Sequence, residues 1–168
     1  VERMESEGQT CVLVTVDDTL AGAIGVRDEL RPEVPEAVQT LRANDVEVSM
    51  LTGDNTRTAR ALAEIAGIDD VRAELRPEDK ASIVAEFSSK TPTAMIGDGI
   101  NDAPALAGAT VGIAMGATGS DAAIDSADVA FTGHDLRLIP QALQHARRGS
   151  RIINQNIVLS LAIIIVLM

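Results

Sequence analysis

The chain has 168 residues, enough for one domain with a real core. Its formal charge of -11 argues against a broad nucleic-acid-binding surface, and with two Phe, no Trp and no Tyr it has no base-stacking platform. The single cysteine, Cys11, excludes a disulfide framework within the chain and reads as a small buried strand residue in a reducing compartment.

Taken in chain order, Gln9–Val16 and Leu20–Val26 are apolar, β-rich runs around Asp17-Asp18-Thr19, the pattern of a hairpin. A charged link, Arg27 to Pro32, reads as a hinge. Val34, Ala37, Val38 and Leu41 recur at helical spacing, which predicts a helix from Pro32 to Ala43 with proline near its start. Val46–Leu51 reads as a strand. Asn55 to Ala66 reads as a helix that Gly67 ends. Val71–Ala73 forms a short strand, Pro77 to Phe87 a helix and Thr93–Ile96 a strand. Ala103–Ala107 follows as a short helix. Val111–Met115 and Asp128–Phe131 are strands, with a helix near Ser120–Asp125 between them. Leu136 to Arg148 is helical and continues into the tail. Strands alternating with helices of this length imply an α/β fold with a parallel sheet covered on both faces.

The tail from Ile157 to Met168 is apolar except for Ser160. Arg147, Arg148 and Arg151 stand just before it, as expected of the cytoplasmic side of a membrane helix. The run is shorter than the roughly 20 residues that span a bilayer, and it has no polar stripe of helical period. It reads as the start of a transmembrane helix. A buried terminal helix of a soluble domain is the alternative.

The chemistry gathers where strands end, the usual place for ligands in open α/β sheets. After the strand ending at Leu51 come Thr52-Gly53-Asp54-Asn55, a hydroxyl and a flexible glycine ahead of a helix. Helix amides and the Thr52 hydroxyl could together cradle a phosphate, although the same residues also suit a plain turn with a helix cap. After Ile96 come Gly97-Asp98-Gly99-Ile100-Asn101-Asp102-Ala103-Pro104. Two glycines flank Asp98 and let the backbone expose its carboxylate. Asp98 and Asp102, with the amide of Asn101 between them, suit Mg²⁺, which takes hard oxygen ligands and keeps some water. Between the two loops, Arg76-Pro77-Glu78-Asp79-Lys80 puts Lys80 in the first turn of a helix, where its ammonium can meet a phosphoryl oxygen.

Thr52-Gly53-Asp54, Pro77-Glu78-Asp79-Lys80 and the octapeptide at 97–104 resemble the later motifs of P-type cation-transporting ATPases, which belong to the haloacid dehalogenase-like superfamily. The segment from Ala21 to Glu33 resembles the return from that family's nucleotide-binding domain. The helix carrying Gln155-Asn156-Ile157 is similar to the heavy-metal-transporting branch. The resemblance implies a Rossmann-like fold with ATP as substrate, Mg²⁺ as cofactor and a transported metal cation. It implies a multi-pass membrane protein with this domain on the cytoplasmic side. Residues 1–30 would end the nucleotide-binding domain and form the hinge. Residues 31–148 would be the later half of the phosphorylation domain, and 149–168 the start of a transmembrane helix. In this reading Thr52 contacts the phosphoryl group and Lys80 neutralises it. Asp98 is a Mg²⁺ ligand, with Asn101 and Asp102 completing that site. Asp28, Arg31, Gly53 and Asp54 lie on the nucleotide side.

One departure matters. The family's phosphorylated aspartate lies in an Asp-Lys-Thr-Gly-Thr motif, and no such motif occurs among the 168 residues. The chain alone is therefore expected to be inactive. Two other readings stay open: a soluble phosphatase of the same superfamily, and a membrane-anchored module that kept the fold without the chemistry. Copper-type pumps of the resembled branch place an Asn, and zinc-type pumps a Lys, near Ile164. An isoleucine there matches neither and points to a different subgroup, such as a cobalt-type pump.

Overall fold

The computed structural model describes residues 10–17, 19–26, 29–98, 101–116 and 124–167. It opens with an antiparallel hairpin of β1 (Thr10–Val16) and β2 (Thr19–Val26), in which Cys11 lies opposite Gly25. Val12, Val14, Val16, Leu20 and Ile24 of this hairpin are exposed.

Helix α1 (Val34–Arg42) follows, then β3 (Ser49–Leu51) and α2 (Thr56–Ala66). Next come β4 (Asp70–Arg72), α3 (Pro77–Lys90), β5 (Ala94–Gly97) and α4 (Ala103–Gly108). The last elements are β6 (Val111–Met115), β7 (Val129–Phe131) and α5 (Leu138–Leu167). The helix expected near Ser120–Asp125 lies mostly outside the described residues.

The strands after the hairpin pair in parallel, as their spacing predicts. Among the described residues they form two ladders, β3–β4 and β5–β6–β7, rather than one continuous sheet. The inner ends of both ladders meet in one core: Leu51 of β3 packs on Val84, Met95, Ala105 and Leu106. A second cluster joins Val34, Val38 and Ala66 to Leu30, Val48, Ile68 and Leu136. Ala59, Ala63, Ala66, Ala105 and Ala114 are almost fully buried, so helices and strands approach closely through small side chains.

Local chemistry sets the element ends. Asn55 caps α2 by accepting from the Thr58 amide at 3.0 Å. Gly67 closes that helix at φ 73, a left-handed position that suits glycine. Strand β3 is shorter than the sequence suggests. Asp45 turns the chain at φ 58, and the Val46 amide donates back to the Leu41 carbonyl at 3.1 Å. Val46 is thereby spent on the end of α1, while Val48 serves the core without joining the ladder. Helix α3 runs past Phe87 to Lys90, where Lys90 pairs with Glu86 one turn back at 2.6 Å.

Helix α5 has 30 residues and is long and apolar enough to cross a membrane. Ile152, Ile153, Ile157, Val158, Leu159, Leu161 and the run Ile163–Leu167 are all exposed along it. An aqueous surface does not hold that much contiguous apolar area.

Candidate phosphoryl-transfer site

The two ladders present their chemistry at the carboxyl ends of β3 and β5. After β3, the Thr52 hydroxyl donates to Asp54 Oδ2 at 2.7 Å and accepts from the Asp54 amide at 3.1 Å. The Thr52 amide donates to the Arg72 carbonyl at 3.0 Å, which extends the β3–β4 ladder by one bond. A Cβ added at Gly53 would stand 3.3 Å from the Leu75 carbonyl, so a larger residue would press on the neighbouring loop.

The sequence suggests that helix amides help to cradle a phosphate here. Two amides in the first turn of α2 already have side-chain acceptors. Thr56 N–H donates to Glu74 Oε1 at 3.2 Å and Thr58 N–H to Asn55 Oδ1 at 3.0 Å. Thr52 and Gly53 stand ahead of the helix, outside these two bonds.

After β5 the chain passes Gly97 to an exposed Asp98. Gly99 and Ile100 lie outside the described residues, as does Asp28. Asn101 is exposed, and Asp102 stands at the start of α4. The Lys80 ammonium reaches Asp102 Oδ1 at 2.8 Å from the first turn of α3. Both side chains are mostly covered, 16% and 15% exposed. Packing of α3 on α4 through Val84, Ala105 and Leu106 fixes that approach. Gly97 makes room for it: a Cβ there would lie 2.9 Å from Asp102 Oδ2.

The structure thus pairs Lys80 with Asp102 and Thr52 with Asp54. Arg31 is turned elsewhere, its guanidinium donating to the His134 carbonyl at 2.6 Å. Among the described residues no three carboxylates, imidazoles or thiols cluster as a metal cage. The donor set still fits Mg²⁺, which uses one or two carboxylates plus phosphate oxygens and water. Asp98 is an exposed carboxylate at a strand end, and Lys80 takes Oδ1 of Asp102 with Oδ2 on the Gly97 side. Sequence reasoning missed Glu74. Its φ of 58 carries no sequence signal, because glutamate, unlike asparagine or aspartate, is not a residue that favours the left-handed region.

Residues 1–110 match the family model described as haloacid dehalogenase-like hydrolase. Over 165 residues the chain is 62% identical to a probable cation-transporting ATPase G of Mycobacterium tuberculosis, covering 98% of this chain and 21% of that protein. A copper-exporting P-type ATPase of Staphylococcus haemolyticus is 45% identical over 158 residues, 94% of this chain and 20% of that one. A crystal structure of a zinc-transporting PIB-type ATPase in the E2.Pi state superposes with a TM-score of 0.79 at 44% identity, covering 92% of this chain and 25% of that one. The chain spans about a fifth of the length of the curated relatives it matches. It belongs to the haloacid dehalogenase-like hydrolases, and its relatives within them are heavy-metal P-type ATPases.

Proposed function

We propose that this chain is the later half of the phosphorylation domain of an ATP-driven heavy-metal cation pump. In this reading residues 1–30 return from the nucleotide-binding domain and 31–148 carry the phosphoryl chemistry. Residues 149–168 enter a membrane, with the domain on the cytoplasmic side. The observation that carries the reading is the Lys80–Asp102 pair just past β5, with the exposed Asp98 at the end of the same strand.

Transfer of a phosphoryl group needs placed positive charge more than covalent help, because the transition state is loose and anionic. Lys80 supplies that charge, and Asp102 holds it in place. Thr52 turns its hydroxyl from Asp54 toward a phosphoryl oxygen, and Asp54 keeps it oriented until then. Asp98, Asn101 and Asp102 would hold Mg²⁺, which when bound offsets charge on phosphate oxygens. Gly53 lets the loop lie close under the phosphate. Asp28 and Arg31 lie in the link toward the nucleotide side. Because the 168 residues hold no Asp-Lys-Thr-Gly-Thr motif, the phosphorylated aspartate comes from another part of the protein. ATP and a transported metal cation are the partners in this reading. Which cation is moved depends on membrane residues beyond those described.

The test is phosphorylation with labelled ATP and Mg²⁺. The full-length protein should take up acid-stable label, and the 168-residue chain alone should take up none. Label on the isolated chain would mean that it holds its own nucleophile, which favours the soluble phosphatase reading. A full-length protein that never labels would remove the pump reading.

A further inference from the structure

Glu74 lies between β4 and α3 in a left-handed conformation, φ 58, that a non-glycine residue keeps only where its surroundings hold it there. Its own amide donates to the Asp54 carbonyl at 2.8 Å. The next amide, of Leu75, donates to the Thr52 carbonyl at 3.1 Å. Its carboxylate Oε1 accepts from both the amide and the hydroxyl of Thr56, at 3.2 and 2.9 Å. One residue and its neighbour therefore grip the Thr52–Thr56 loop at its start, its middle and its end.

An acid beside an anion site works against anion binding by charge alone. What Glu74 contributes must therefore be geometric. By occupying the Thr56 amide it turns an incoming phosphate away from the helix end and toward Thr52 and Gly53. By bridging to Asp54 it fixes the residue that orients the Thr52 hydroxyl.

We infer that Glu74 is a positioning residue for phosphoryl binding: it clasps the Thr52-Gly53-Asp54 loop in its binding shape without touching the phosphate. The inference rests on the proposed pump reading and deepens it.

The experiment uses the full-length pump carrying Glu74→Ala or Glu74→Gln. Phosphoenzyme is formed from inorganic phosphate with Mg²⁺ and, separately, from ATP. Loss of the two Thr56 bonds in Glu74→Ala should raise the half-saturating phosphate concentration about tenfold. Half-saturation by ATP should move less than about twofold, because most of the nucleotide is bound by other residues. Glu74→Gln keeps an oxygen that can accept both bonds and should stay within about twofold of wild type for phosphate as well. A purely stabilising role would lower the unfolding temperature of Glu74→Ala without this split between phosphate and ATP. Wild-type phosphate dependence in Glu74→Ala would overturn the inference. Equal damage in Glu74→Gln would do the same, since it would mean that charge matters rather than shape. If Glu74→Ala fails to fold, Thr56→Val removes only the hydroxyl half of the clasp. A rise of about threefold in half-saturating phosphate then supports the clasp, and no change overturns it. A wild-type protein that forms no phosphoenzyme from either donor overturns the pump reading itself, and this inference with it.

Discussion

Replacing Asp102 with Asn tests whether Lys80 is held by charge or by the helix that carries it. The Nζ–Oδ1 distance is 2.8 Å, with 16% and 15% of the two side chains exposed. Fully exposed pairs contribute about 0.2–1 kcal/mol. Removing one partner of a fully buried pair costs about 3–5 kcal/mol. A pair that is mostly but not wholly covered falls between, at about 2 kcal/mol for Asp102→Asn. In a domain of this size that lowers the unfolding temperature by roughly 4–8 °C. Lys80→Met alone should cost about as much, because it leaves Asp102 covered without its cation. The double variant should cost less than the sum, with a coupling of about 1–2 kcal/mol. The assay is denaturant unfolding of the chain in detergent micelles for all four members of the cycle. Coupling below about 0.5 kcal/mol would refute the reasoning, because the pair would then be screened by solvent and Lys80 held by α3 alone.

In the full-length protein, Asp98→Asn should require at least about tenfold more Mg²⁺ for phosphoenzyme formation while leaving thermal unfolding nearly unchanged; wild-type Mg²⁺ dependence would remove Asp98 from the metal site. Gly116 sits at φ 72, and a Cβ there would fall on the exposed His134 ring, which can swing aside, so Gly116→Ala should destabilise by about 1–2 kcal/mol, the cost of the left-handed backbone. Adding His134→Ala should change that cost little, as read by thermal unfolding. The side chain of Arg137, and then its backbone amide, bond to Asp135 and hold that carboxyl below its ordinary 3.8. A lowered pKa gives stability that is present above 3.8 and lost as pH falls below it. Asp135→Asn should therefore flatten the acid limb of stability against pH in that range, and parallel curves for the two proteins would count against the pair.

Much of the fold was legible because it depends on local chemistry. Asn55, Gly67 and the helix-initiating Pro77 mark their helix ends whatever surrounds them. The parallel ladders follow from strands and helices of the right length in alternation. The glycines around Asp98 announce an exposed carboxylate. What stayed hidden depends on distant contacts. Lys80 and Asp102 are 22 residues apart, and only the packing of α3 on α4 brings them together. Taken from sequence, Asp102 reads as completing a Mg²⁺ site, with no sign that Lys80 takes one of its oxygens. The bond of the Arg31 guanidinium to the His134 carbonyl, 103 residues away, was equally out of reach of the sequence. Glu74 was invisible for a different reason: its importance comes from a backbone angle, and no side-chain pattern encodes that angle.

Distant contacts of the same kind tie α1 to the apolar helix. Arg31, in the charged link, donates to the His134 carbonyl in the loop ahead of α5. Leu136, in that loop, packs into the Val34 and Val38 cluster of α1. Arg137 reaches Glu36 of α1 at 3.7 Å, and Arg147 donates to the Asn44 carbonyl just past the end of α1 at 2.8 Å. Each polar contact is worth only about 1 kcal/mol or less at the surface. Together they hold α5 at both ends of α1, so the two helices cannot pivot against each other without breaking several contacts at once. Beyond Arg147, α5 runs to Leu167 without a buried residue, a lever of about 30 Å at 1.5 Å per residue. A rotation of about 10° in α1 would therefore carry the far end of α5 about 5 Å, if the helix stays straight. A displacement of that size is comparable to one helical turn, enough to reset which side chains of a membrane helix face a neighbour. Residues 29–32, the α1–α5 clamp and the apolar helix are thus joined into one connected unit, along which a tilt of α1 would reach the far end of α5.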